Sequence, residues 1–259
     1  MGIINVTPDS FYDGGKTMAI RDILVQAEQM LQQGATFLDI GGYSSRPGAD
    51  DVSETDELER VLPAIEAILR EFPKALISID SFRSKIARKA VAHGACMVND
   101  ISGGHMDKEM IKTVAGLQVP YVAMHMRGTP QTMTQHTNYH QVTRDVLHYF
   151  SKIISEANKA GINDLIADPG FGFSKTRTQN FTLMNELELF QQLEIPLLVG
   201  ISRKSMIYKT LGVSAKEALN GTTALHSIAL LKGVHLLRVH DVKEAMECVR
   251  LVSELSDAQ

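Results

Sequence analysis

Short apolar runs of strand length recur along the chain at 1–6, 36–40, 76–79, 97–98, 121–124, 165–167, 197–199 and 236–239. Between them apolar residues return with helical spacing, as in Ile23, Ala27, Met30 and Leu31, and again in Leu58, Val61, Leu62, Ile65 and Leu69. The same spacing predicts helices over 86–93, 110–115, 142–160, 183–193, 215–231 and 245–255. Gly34, Gly94, Gly116 and Gly161 each fall a few residues before the next run, where a helix needs a stop. Successive runs begin about 34 residues apart on average, which suits one strand-loop-helix unit.

The runs are continuously apolar rather than alternating, as strands buried on both faces must be. Eight such units in a row predict an α/β fold, a closed parallel (β/α)8 TIM barrel, rather than an open doubly wound sheet. No linker or low-complexity stretch divides the chain, so one domain is expected over 1–259. The longest irregular segments, 41–54 and 126–138, follow strands, on the face where barrel active sites form.

Composition narrows the function classes. Of 259 residues, 44% are hydrophobic and 22% charged, as in an ordinary globular protein, and the net charge of −4 argues against a nucleic-acid-binding surface. No apolar run approaches the ~18 residues of a spanning helix, so no membrane association is expected. The first residues carry neither a basic signal segment nor a myristoylation pattern. Two cysteines, Cys96 and Cys248, supply no disulfide framework and no metal-binding spacing, which points to the reducing cytoplasm.

Nearly every run ends in a polar residue that a barrel would aim into its mouth: Asn5, Asp39, Asp80, Asn99 with Asp100, His125, Asp168, Ser202 with Arg203 and Lys204, and Arg238 with His240. A single member, Asp39 or Asp100 for instance, admits a local turn-forming role, but the whole set does not. Asp80, Asn99 and Asp168 can together accept and donate along the edge of a flat amide-like heterocycle such as a pterin or guanine. Arg46, Arg203, Lys204, Arg238 and His240 supply cations suited to phosphate. Asn5 is a neutral oxygen ligand of the kind that holds Mg2+ shared with substrate phosphates and waters. Two other patterns carry no function: the stretch 170–176 lacks the glycine spacing of a P-loop, with Ser174 directly before Lys175, and His136 with His140 has no acidic ligand nearby.

Taken together, the motifs Asn5-Val-Thr-Pro-Asp9-Ser-Phe11 with Asp13-Gly-Gly, Gly41-Gly-Tyr-Ser-Ser45-Arg46-Pro-Gly, Ser78-Ile-Asp80-Ser-Phe, Asn99-Asp-Ile-Ser-Gly-Gly, Met124-His-Met-Arg-Gly-Thr-Pro, Asp168-Pro-Gly-Phe-Gly-Phe173, Ser202-Arg-Lys204-Ser205 and Arg238-Val-His240 are specific. In this order, over essentially the whole length, the chain resembles the dihydropteroate synthase family. The resemblance implies transfer of a pterin-methyl group from 6-hydroxymethyl-7,8-dihydropterin diphosphate to p-aminobenzoate, giving dihydropteroate and diphosphate. It implies that Asp80, Asn99, Asp168 and Lys204 hold the pterin beside Met124 and Phe173. Diphosphate is expected against Ser45, Arg46, Arg238 and His240, with Mg2+ as cofactor on Asn5. Asp168, Lys204, Arg238 and His240 would carry catalysis, Ser205 would meet the p-aminobenzoate carboxylate, and Asp9, Phe11 and Asp13 would belong to a substrate loop. Relatives are often dimers, and the apolar helices over 219–231 and 246–255 suit a homodimer interface.

The sequence departs from the family pattern at Tyr43, where Glu is common, at Ser45 for Thr and at Tyr12 for Ser. It also begins inside the first strand, so a segment covering the barrel floor either lies upstream of this start or is lacking. Competing readings remain at this point. They are a methyltetrahydrofolate-type methyltransferase, which has no need of the Asn5–Phe11 motif; a Schiff-base aldolase built on Lys204; and a pterin-binding barrel without synthase activity.

Overall fold

The computed structural model describes residues 1–6, 15–43 and 51–257. Among them the strands run β1 (Gly2–Asn5), β2 (Phe37–Gly41), β3 (Leu76–Asp80), β4 (Met97–Asp100), β5 (Tyr121–Met124), β6 (Leu165–Asp168), β7 (Leu198–Val199) and β8 (Leu236–Leu237). The helices are α1 (Gly15–Gln32), α2 (Glu54–Glu71), α3 (Ser84–Ala92), α4 (Met110–Leu117), α5 (Val142–Ala160), α6 (Arg177–Asn185), α7 (Ser205–Leu211), α8 (Leu219–Leu231) and α9 (Val242–Asp257). β1 to β6 form one parallel sheet in sequence order and β7 pairs with β8. Parallel bridges from Ala167 to Leu197 and from Gly2 to Val239 join the two sheets at both seams, so the strands close on themselves. The last seam is held by Ile3 N–H donating to Val239 O and Val239 N–H to Met1 O, both at 2.9 Å. The expected (β/α)8 barrel is the observed fold.

Strand residues split by the two-residue period of the pleat. One set, including Ile4, Leu38, Ile40, Ile77, Ile79, Val98, Tyr121, Ala123 and Val199, packs outward against the helices. The other set fills the barrel: Met97, Val122, Ile166 and Leu198 form a small apolar layer with Met1, Phe37 and Leu236. Two residues further along the same strands stand Asp39, Asn99, Met124, Asp168, Gly200 and Arg238. These six strands therefore contribute an apolar floor and a mostly polar mouth without changing face. At the opposite end from that mouth lies a cavity of about 880 Å³ lined by Met1, Phe37, Met97, Ile166 and Leu236 among others.

Several boundaries differ from the sequence reading for local reasons. Gly116 lies inside α4 rather than ending it. The left-handed stop is Gln118 (φ 55°), whose amide donates to Ala115 O and Gly161 O. The stretch 183–193 divides into α6, opened by a Thr176–Gln179 capping box, and a 3-10 segment Leu187–Leu193. The helix expected over 215–231 begins only at Leu219, after a 3-10 turn over Ala215–Glu217. No described helix is long and apolar enough to cross a membrane.

α8 buries Thr222, His226 and Ala229. His226 is 1% exposed and neither ring nitrogen has a hydrogen-bond partner. Burial lowers it from 6.5 to about 4, against the upward pull of Asp241. The ring is thus neutral in the folded state, whereas the unfolded chain takes up a proton near pH 6.5, so stability is full above that pH and declines as pH falls towards 4. His226→Leu is expected to remove about 2 kcal/mol of the stability difference between pH 8 and pH 5, read by urea unfolding at the two pH values. An unchanged difference would refute the assignment.

Candidate active site

The polar mouth is organised around Arg238, the residue after β8. Its Nε donates to Asp39 Oδ2 and its Nη2 to Asp80 Oδ2, both at 2.6 Å. Asn99 Nδ2 donates to the same Asp39 Oδ2 at 3.0 Å. β2, β3, β4 and β8 thereby meet through one guanidinium and one carboxylate. Burial opposes the charge on Arg238, but Asp39 and Asp80 overcome it and hold its proton more firmly than usual. Burial pushes Asp80 up to about 7, against the pull of Arg238 and with help from Asp39.

Across the mouth, Asp168 ends β6 and accepts from Gly170 N–H at 2.8 Å. Burial raises its pKa, with Lys204 opposing. Lys204 caps the start of α7, donates to Phe171 O and lies 4.4 Å above the centroid of Phe173. Burial lowers it to about 8, with Asp168 pulling the other way. Ring edge and ring face can both be met here: carboxylates and an amide at the rim, an ammonium with an aromatic face beside them. Met124 and Phe173 belong to a second apolar cluster, separate from the main core, with Tyr43, Phe82, Ile101, Met126 and Met133. Tyr43, where the family often has Glu, accepts from Gln131 at 2.9 Å and stacks edge-on to Phe82.

Of the residues singled out from sequence, Asp80, Asn99, Met124, Asp168, Phe173, Lys204 and Arg238 come together. His240 and Ser205 are exposed at the same end, His240 through its N–H donating to Ser202 Oγ at 3.2 Å and Ser205 as the first residue of α7. Asn5 ends β1 and is exposed. Ser45, Arg46, Asp9, Phe11 and Asp13 lie outside the described residues. Among those described, no three His, Cys, Asp or Glu side chains gather as a ligand set. A metal here would have to be held by few protein oxygens, and a neutral exposed amide such as Asn5 fits Mg2+ that keeps substrate and water ligands.

Three residues at or after strand ends turn away from the mouth, Asp100 and His125 because the pleat alternates and Arg203 from the turn after β7. Asp100 is fully buried and accepts from Tyr121 O–H and from the N–H groups of Ser102 and Gly104. Arg203 pairs with Asp241 at 2.8 and 2.9 Å. His125 is 2% exposed, held below its usual pKa by burial and by the Lys175 cation. Asp39, by contrast, had a local turn role open to it and proves to be central; its place two residues after inward Phe37 is the signal that could have found it.

Lys175 explains how the loop after β6 is fixed. Its Nζ donates to His125 Nδ1, Gly170 O and Phe173 O at 3.0, 2.9 and 3.0 Å, so it serves the protein and not a phosphate. Burial lowers its pKa well below the usual value, with Asp168 opposing. Gly170 (φ +70°) sits so close that an added Cβ would stand 2.1 Å from His125 O, which ties this loop to β5. Ser174, at φ 47°, accepts from Arg127 N–H at 3.0 Å and contacts Tyr139 O–H at 3.2 Å.

A family model described as "Pterin binding enzyme" matches residues 1–240. Dihydropteroate synthase of Escherichia coli (strain K12) is 42% identical over 261 residues, covering 100% of this chain and 92% of that protein. The chain belongs to the dihydropteroate synthase family of pterin-binding enzymes. Among solved structures, Yersinia pestis dihydropteroate synthase with a sulfonamide drug complex has a TM-score of 0.92 at 39% identity, covering 100% of this chain and 94% of that one. Dihydropteroate synthase from Xanthomonas albilineans in complex with 7,8-dihydropteroate has a TM-score of 0.88 at 34% identity, covering 99% and 92%. As a member of this family the chain is an enzyme, a transferase.

Lys175→Met would leave buried carbonyls and the His125 ring without their donor. Loss of about 3 kcal/mol in denaturant unfolding is expected. An unfolding midpoint equal to that of the parent protein would show that the loop does not need this anchor.

Proposed function

We propose that the chain condenses 6-hydroxymethyl-7,8-dihydropterin diphosphate with p-aminobenzoate, giving 7,8-dihydropteroate and diphosphate in folate biosynthesis. The observation that carries this reading is the juxtaposition of Asp168, Lys204, Asp80 and Asn99 around an apolar wall of Met124 and Phe173, with Arg238 adjoining. The Xanthomonas albilineans relative, which binds 7,8-dihydropteroate, supports it.

In this reading Asp80, Asn99 and Asp168 meet the N–H groups and nitrogen acceptors of the pterin, while Lys204 donates to its other edge. Phe173 and Met124 pack on the ring. The C–O bond to diphosphate breaks first, its electron pair leaving with the diphosphate, and Arg238 and His240 stabilise the growing negative charge, together with Ser45 and Arg46. Asp168 stabilises the positive charge left on the pterin methylene. The neutral amine of p-aminobenzoate then attacks that carbon, its surplus proton passing to the released diphosphate or to water, and Ser205 positions its carboxylate. Such an amine needs no prior deprotonation, and no covalent enzyme intermediate is involved. Mg2+ held through Asn5 would neutralise diphosphate charge when bound.

The remaining parts of the reading follow from the same chemistry. Two free thiols, Cys96 and Cys248, suit the cytoplasm. Exposed Ile228 and Leu231 on α8, with Leu251 and Leu255 on α9, suit a homodimer.

Both substrates with Mg2+ should release diphosphate, and chelation should stop the release until Mg2+ is restored. Asp168→Asn and Lys204→Ala are expected to weaken use of the pterin diphosphate by about a hundredfold in kcat/KM. Ser205→Ala should mainly raise the KM for p-aminobenzoate. Pterin binding without any diphosphate release would favour a binding protein instead, and equal effects of all three variants on both substrates would refute the division of roles.

A further inference from the structure

Asp39 is 0% exposed, lies below the rim on β2, and has one oxygen with two donors and one, Oδ1, with none. An ionised carboxylate only accepts, so the Asn99 atom 3.0 Å from Oδ2 is its Nδ2, which fixes the amide plane and leaves the other N–H and Oδ1 for a ring. The same Oδ2 holds Arg238 by Nε, 2.6 Å away. Asp80 takes the other arm of the fork, but it stands at the rim with 15% of its side chain exposed, whereas Asp39 is enclosed. When a ring N–H draws Asp80 away, Asp39 keeps the guanidinium in place and Nη2 becomes available to an anion.

From this geometry we propose that Asp39 is a positioning residue through which the heterocycle pocket and the anion site are coupled, acting on Asn99 for the ring and on Arg238 for the diphosphate. The inference rests on the function proposed above and deepens it. It makes Asp39 necessary without touching substrate, and it separates what its shape does from what its charge does. An acceptor oxygen suffices to hold Asn99, whereas holding a buried guanidinium as its partner leaves requires a full negative charge.

Two probes bound separately read the two branches: 6-hydroxymethylpterin for the ring and inorganic diphosphate with Mg2+ for the anion, by calorimetry on the full chain. Asp39→Ala is expected to weaken both by about tenfold or more, since each loses a charge-assisted contact. Asp39→Asn, which keeps an acceptor for Asn99, should recover ring binding to within about threefold while diphosphate binding stays weak. In turnover, Asp39→Asn should raise the KM for pterin diphosphate and leave that for p-aminobenzoate unchanged. Parallel loss of ring, diphosphate and p-aminobenzoate in Asp39→Asn, or no loss of diphosphate binding, would overturn the proposal. Should Asp39→Ala not fold, the ring-against-anion split in Asp39→Asn decides alone. Failure of the parent protein to bind either probe would instead overturn the functional reading beneath it.

Discussion

A guanidinium enclosed by a barrel of parallel strands cannot persist without carboxylates, and Arg238 has two. The cost of removing such a charge from water is several kcal/mol unless close, well-directed partners replace the solvent. Asp39 and Asp80 provide them at 2.6 Å from strands two and three, across the seam at which β8 returns to β1. Strand order, closure and the placing of Asn99 are therefore linked to one electrostatic requirement. A barrel shifted by one residue at that seam would turn Arg238 towards the helices and leave two acids buried alone.

Around this centre the architecture divides labour along each strand. Apolar residues near the strand starts fill the barrel, and residues two positions later carry the chemistry, so rigidity and reactivity come from the same elements. Lys175 extends that rigidity to the loop after β6 by gathering His125, Gly170 and Phe173 on one ammonium. Asp168 and Phe173 thus reach the mouth from a segment with little freedom, which favours preorganised recognition of a flat ring.

Much of this was legible in the sequence. Eight apolar runs with polar ends revealed the barrel because each run is short, continuous and followed by a helix-spaced stretch; Asp80, Asn99, Asp168, Lys204 and Arg238 were visible as their terminators. Direction was harder to read. Asp100 and His125 lie at strand ends as well, yet they face the helices, since one residue of offset inverts a side chain and the run boundaries are not defined to one residue; Arg203, four residues past β7, is drawn to Asp241 instead. Asp39 shows the converse: its turn-forming chemistry masked a role fixed only by partners 60 and 199 residues away. Lys175 resembled part of a phosphate loop, and its use as an internal tie depended on carbonyl directions that no spacing encodes.

Arg238 without substrate is already partnered from within, its guanidinium held by Asp39 and Asp80 at 2.6 Å. A stray phosphate drifting into the barrel finds its cationic partner occupied. A molecule that brings a matching ring alongside its phosphates can engage Asp80 and release one arm of the guanidinium in the same event. On the proposed function, the ion triad makes tight binding depend on heterocycle and charge arriving on one molecule.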